Sequence, residues 1–147
     1  MASKQINILL ADDDEDDCLF FKDALKELHS DSHLHIVTNG DDLIEYLRDH
    51  SGSLPDVIFL DINMPGKNGT ECLEKIRDNK KFKEIPVVIY STSGVDKDID
   101  VAFRYGANIY IKKPTEFHKL KKMISDVIAM DWSKHPPRTG KDNFLMR

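Results

Sequence analysis

Cysteine is scarce in this chain of 147 residues. Only Cys18 and Cys72 occur, with no CxxC or other metal-type spacing. That excludes a disulfide scaffold or a thiolate metal site and leaves two small buried residues kept reduced. No apolar run approaches the length of a membrane span, and the opening MASKQINILLADDD meets acid before a signal peptide can form. A cytoplasmic protein without a membrane partner is expected. Basic charge is thin as well: 21 Lys and Arg against 26 Asp and Glu give a net charge of −5. With no arginine-rich stripe and no alternation of basic and aromatic residues, nucleic acid is not an expected partner. What remains is ordinary for a globular domain, 40% apolar and 32% charged, and the length suits one core rather than two.

The stretch from Asp56 to Gly69, DVIFLDINMPGKNG, organises the rest. Val57-Ile58-Phe59-Leu60 is continuously apolar and is bounded by Pro55 and by a turn rich in Asn, Pro65, Gly66 and Gly69. Such a run fits a strand covered on both faces, as in a parallel sheet. It delivers one carboxylate, Asp61, to the carboxyl edge, where open α/β sheets hold ligands.

Other strands are expected at Ile6 to Ala11, around Leu34 and Ile36, at Pro86 to Tyr90, and at Asn108 to Ile111. Helical spacing follows each: Phe21, Ala24, Leu25 and Leu28; Leu43, Ile44 and Leu47; Cys72, Leu73 and Ile76; Ile99, Ala102 and Phe103; then Leu120, Ile124, Val127 and Ile128. Gly106 stops the fourth helix as a C-terminal cap. Strict alternation with short connections implies βα units and a parallel sheet sandwiched by helices. His33 and His35 share a strand face, but with no third ligand nearby they read as solvent-facing residues on an edge strand.

Four strands send polar groups to one edge: Asp12 and Asp13, Asp61, Ser91, and Lys113. Asp14 to Asp17 are explained as helix-start acids opposing the helix dipole; Asp12 and Asp13 are not. Carboxylates at close range need a cation, and a set with no histidine or thiol suits Mg²⁺. A carboxylate can accept a phosphoryl group, whose charge an ammonium, a hydroxyl and Mg²⁺ would stabilise.

On these elements the chain resembles the receiver domain of two-component response regulators, the CheY-like family, over about residues 5 to 130. The resemblance is carried by the acidic pair in LLADDD, the LDINMPGKNG block, the hydroxyl in VVIYSTS and the Lys-Pro in YIKKP. It implies a flavodoxin-like (βα)5 doubly wound sheet of five parallel strands in the order 2-1-3-4-5, with helices on both faces. It further implies that Asp61 accepts phosphoryl from a kinase phosphohistidine. Asp12, Asp13 and the backbone carbonyl of Asn63 would hold Mg²⁺ with Asp61, and Lys113, rather than its rival Lys112, would contact the phosphoryl group. The Lys113-Pro114 bond would be cis. Ser91 and Tyr110 would form the switch, reported on the face built from 96–131. Asn63 and Ser93, two positions beyond Asp61 and Ser91, which tune this hydrolysis in the family, are not strong bases, so the aspartyl phosphate is expected not to hydrolyse unusually fast.

Residues 1–131 are thus expected to be the receiver domain and 132–147 a tail without an output domain. The tail carries Trp132, Pro136-Pro137, Gly140 and Phe144-Leu145-Met146. Output would then fall to another molecule: a downstream protein, a histidine phosphotransfer protein, or a second copy meeting this one through the 96–131 face or the tail. The expected function is a single-domain response regulator phosphorylated by a sensor histidine kinase. It would be a phosphoacceptor rather than an enzyme. A haloacid dehalogenase type of phosphatase would need a second Asp where Asn63 stands. A phosphorylation-independent binding module is the other alternative.

Overall fold

The computed structural model describes residues 5–28, 31–64, 68–134, 136 and 144–146. Pro65, Gly66, Pro137 and Gly140, read above as turn or tail residues, lie outside these. Strands and helices alternate: β1 (Asn7–Ala11), α1 (Glu15–Leu28), β2 (His33–Val37), α2 (Gly40–Asp49), β3 (Val57–Leu60), α3 (Gly69–Asp78), β4 (Val87–Ser91), α4 (Asp96–Arg104), β5 (Ile109–Lys112), α5 (Phe117–Ile128). Every residue of β3 and of β4 is buried, the signature of strands covered on both faces. All neighbouring strands pair in parallel.

The helices divide between two apolar layers. Leu43, Leu47, Leu73, Ile76 and Ala102, from α2, α3 and α4, pack over Leu9, Ile58 and Ile89. Phe21, Leu25, Leu120 and Ile124, from α1 and α5, pack over Ile8, Phe59 and Val88 on the other face. Successive strand residues therefore serve opposite layers, as the period of two requires. Asn39 and Asn68 cap α2 and α3 by accepting the N–H of Asp42 and Glu71. Gly106 takes φ 96° after α4, the left-handed conformation expected of it.

One expectation needs enlarging. The sheet has six strands in the order β2-β1-β3-β4-β5-β6, the sixth being Leu145–Met146 of the tail, parallel to β5. Two residues are too few for alternation to be read in a sequence, whereas the open edge of β5 offers unpaired backbone groups that any nearby segment can satisfy. Tyr110 N–H donates to Phe144 O at 2.8 Å. The Phe144 ring is buried against Phe103, with centroids 5.2 Å apart. Trp132, in a 3₁₀ turn after α5, packs on the opposite layer.

Candidate functional site at the carboxyl edge of the sheet

The parallel register brings the ends of β1, β3, β4 and β5 level. Asp61 N–H donates to Ala11 O at 2.9 Å, and Lys113 N–H donates to Ser91 O at 2.7 Å, so each ladder runs one step past its strand. Asp12 and Ser91 have no exposed surface and Asp61 has 6%. Asp13 is exposed. Ligand oxygens of Asp12, Asp13 and Asp61 all lie within 4.8 Å of one another.

Lys113 sits among them. Its Nζ is 2.7 Å from Asp12 Oδ2, 2.8 Å from Asp17 Oδ2 and 3.0 Å from Asp61 Oδ2, with its side chain 6% exposed. The Phe21, Phe59 and Tyr90 rings pack edge-on to one another on the same layer, and the ammonium lies 5.5 Å from the Tyr90 centroid. Lys112, the rival lysine, is exposed, its stem running beside Gly94.

Charge explains the arrangement. Burial works to lower the Lys113 pKa, but the close carboxylates of Asp12 and Asp17, the latter accepting a hydrogen bond from the ammonium, and the charge of Asp61 overcome it and raise the pKa. Burial raises the Asp12 pKa against the pull of Lys113 and of the Asp14 N–H. Asp12 Oδ2 makes no well-aligned hydrogen bond among the described residues, although Lys113 stands 2.7 Å away as an ion pair. Three carboxylates thus face one ammonium, a fourth, Asp13, stands beside Asp12 and Asp61, and a buried acid oxygen is left without a hydrogen bond. An all-oxygen donor set of this kind fits a hard divalent cation.

The neighbouring segments are tied to the same edge. Asn63 N–H donates to Asp61 Oδ1 at 3.0 Å. Ser91 Oγ accepts the Ser93 N–H at 3.2 Å. Tyr110 is fully buried and faces inward, and its hydroxyl donates to Ser93 O at 2.8 Å. The Lys113-Pro114 bond is trans, because no peptide bond among the described residues is cis. This corrects the expectation drawn from the resemblance; trans is the lower-energy X–Pro isomer by about 0.5–1 kcal/mol.

Every predicted site residue lies at this edge or directly against it. Asp17 is the addition, passed over because six consecutive acids disguise it as a helix-start charge. Cys18, also buried, donates its thiol to Asp12 O at 3.4 Å; burial and the surrounding acids push its pKa up to about 12. No helix among the described residues is long and apolar enough to cross a membrane.

Known proteins are similar to this chain over most of its length. The response regulator receiver domain model matches residues 8–125. The chain is 30% identical over 134 residues to a probable methanogenesis regulatory protein, FilR2, of Methanothrix harundinacea, covering 88% of this chain and 86% of that protein. It is 31% identical over 124 residues to response regulator Rcp1 of Synechocystis, covering 82% and 84%. The Mn²⁺-bound form of Rcp1 superposes with a TM-score of 0.74 at 30% identity, covering 85% of this chain and 93% of that one. The phosphorylated cyanobacterial phytochrome response regulator RcpA does so with 0.80 at 28% identity, covering 92% and 100%.

Proposed function

The chain belongs to the response regulator receiver family, and from that premise we propose that it is a phosphoacceptor of a two-component phosphorelay, with Asp61 as the accepting residue. A sensor histidine kinase or a histidine phosphotransfer protein would be the donor. An oxygen of Asp61 attacks phosphorus as the P–N bond to the donor histidine breaks, and the electron pair leaves on the imidazole nitrogen. Lys113, already 3.0 Å from Asp61, matches charge on the transferring oxygens, and the Ser91 hydroxyl is the second donor. Asp12, Asp13, Asp61 and the Asn63 carbonyl would hold Mg²⁺, which supplies Lewis-acid neutralisation of the phosphoryl charge.

The observation that carries this reading is the convergence of three acids and one buried lysine from three separate strand ends. The Mn²⁺-bound state of the similar Rcp1 supports a divalent ion here. The chain is proposed to act in the cytoplasm as a receiver over 1–131. Its output would be a change in protein association, toward a downstream target or a second copy through the 96–131 face or the tail. The β5 edge belongs to that face, and Tyr110 would link it to Ser91.

The test is to treat wild type and Asp61→Asn with Mg²⁺ and acetyl phosphate, then to record intact mass and size in solution. One phosphoryl group on wild type alone is expected, with a change in size. A phosphoryl group on neither protein, with partner binding unchanged by the substitution, would point instead to a phosphate-independent binding module.

A further inference from the structure

The Lys113 ammonium stands against three carboxylates: it donates to Asp17 and Asp61 and pairs by charge with Asp12. Two of these belong to the oxygen set suited to a cation; Asp17 does not. A divalent cation entering that set takes Asp12 from the ammonium and competes for Asp61. The Lys113 side chain is 6% exposed, so the ammonium cannot turn to bulk water without leaving its seat. It needs one anion that the cation leaves alone.

The first turn of α1 explains why Asp17 is available. Asp14 is the N-cap of α1, its carboxylate accepting the Asp17 N–H at 2.9 Å. In a capping box the residue three positions on returns the bond to the cap's own N–H. Here that N–H donates to Asp12 Oδ1 instead, at 3.0 Å. The Asp17 carboxylate therefore has no capping duty, and it reaches across 96 residues of sequence to Lys113 at 2.8 Å.

We propose that Asp17 is a positioning residue that retains the Lys113 ammonium when a divalent cation claims Asp12 and Asp61. The idea rests on the function proposed above. Without Asp17 the ammonium stays on Asp12 and Asp61 and competes with the incoming ion, so the ion binds more weakly.

The test is calorimetric titration of the full chain with MgCl₂ and no phosphodonor, in wild type, Asp17→Asn, Asp17→Glu, Lys113→Met and the Asp17→Asn/Lys113→Met double variant. Asp17→Asn is expected to weaken Mg²⁺ by about tenfold, the scale of one charge-assisted hydrogen bond. Asp17→Glu recovers most of the loss. In the Lys113→Met background Asp17→Asn changes little, because there is no ammonium left to hold. Equal Mg²⁺ affinity in wild type and Asp17→Asn would overturn the inference and leave the phosphoacceptor reading intact. An equal loss with and without Lys113 would also overturn it, reducing Asp17 to a bystander charge. Failure of wild type to bind Mg²⁺ at all would remove both readings.

Discussion

The hydroxyl of Tyr110 donates to the backbone carbonyl of Ser93 at 2.8 Å, joining the middle of β5 to the loop that leaves β4. Ser93 passes the connection in two directions: its N–H donates to Ser91 Oγ, and its hydroxyl donates to Asp98 Oδ2 of α4 at 2.5 Å. Ser91, Tyr110 and α4 thus share one chain of hydrogen bonds, while the Tyr110 ring lies 6.3 Å from that of Phe144. A displacement of Ser91 toward a phosphoryl group has to break or drag a bond that Tyr110 also feels.

Tyr110→Phe removes one end of that chain and keeps the buried ring. The expected stability loss is small, about 1 kcal/mol for one hydrogen bond, read by urea unfolding. Phosphoryl uptake from acetyl phosphate should persist while the accompanying change in size or partner binding is weakened. Full retention of that response would make Tyr110 a core residue and no more.

Gly69 opens α3 where the chain doubles back on Asp61. A Cβ there would stand 2.5 Å from Ile62 Cα and 2.7 Å from Asp61 O, both backbone atoms that cannot yield cheaply. Gly69→Ala should therefore cost in the upper part of the roughly 1–3 kcal/mol range for overpacking. It should also slow phosphoryl uptake by shifting the Asp61–Asn63 segment. Gly52, with nothing within 4 Å of its added Cβ, is the control. Gly52→Ala should change stability by no more than about 0.5 kcal/mol.

Much of this was legible in the sequence because the informative signals are local. Val57 to Leu60 reads as a doubly covered strand from its own four residues, and Asp61 comes next without a gap. Asp12, Ser91 and Lys113 are placed by the same logic, since a parallel sheet brings its strand ends level at one edge. Asp17 was not legible, because its partner lies 96 residues away and its neighbours supply a sufficient local explanation. The sixth strand was hidden for a related reason: pairing with β5 is decided by the empty edge it meets, not by a pattern within Leu145–Met146. The Lys113-Pro114 isomer came from resemblance alone, and the chain departs from it.

Phe144 tests whether that added strand contributes to the fold. Its ring is 3% exposed and lies against Phe103 and Tyr110. Phe144→Ala should approach the lower end of the roughly 3–5 kcal/mol known for buried Phe→Ala changes, measured by urea unfolding. A loss under about 0.5 kcal/mol would mean that the tail adds nothing to the core.

A pH effect should arise at the opposite edge. His35 stacks on Tyr46 with centroids 4.2 Å apart, and His50 stacks on the other side at 4.0 Å. Loss of water and the nearby His50 and His33 lower the His35 pKa. The unfolded chain then binds the proton more readily than the folded one. Stability is unaffected above the ordinary histidine range and declines as pH falls below about 6.5. His35→Phe keeps a ring against Tyr46 and should flatten the slope between about pH 7 and pH 5.5 in urea unfolding. An unchanged slope would assign the titration to other groups.

Lys113→Met removes the ammonium that holds the acid edge together. Asp12 and Asp61 then remain buried beside each other with no cation, and breaking a buried pair in this way costs about 3–5 kcal/mol. The loss should be largest near neutral pH in EDTA. A carboxyl whose folded pKa exceeds its unfolded value binds protons preferentially in the folded state, so its contribution to stability grows as pH falls. Asp12 already has that raised pKa beside Lys113, and removing the ammonium raises it further. The deficit of the variant should therefore shrink as pH falls toward the carboxylate range. Mg²⁺ should also reduce it, by binding the folded state alone. Denaturant unfolding at two pH values, with EDTA and with MgCl₂, separates the two effects. A deficit that neither acid nor Mg²⁺ reduces would mean that the side-chain stem, not the charge, carries the stability.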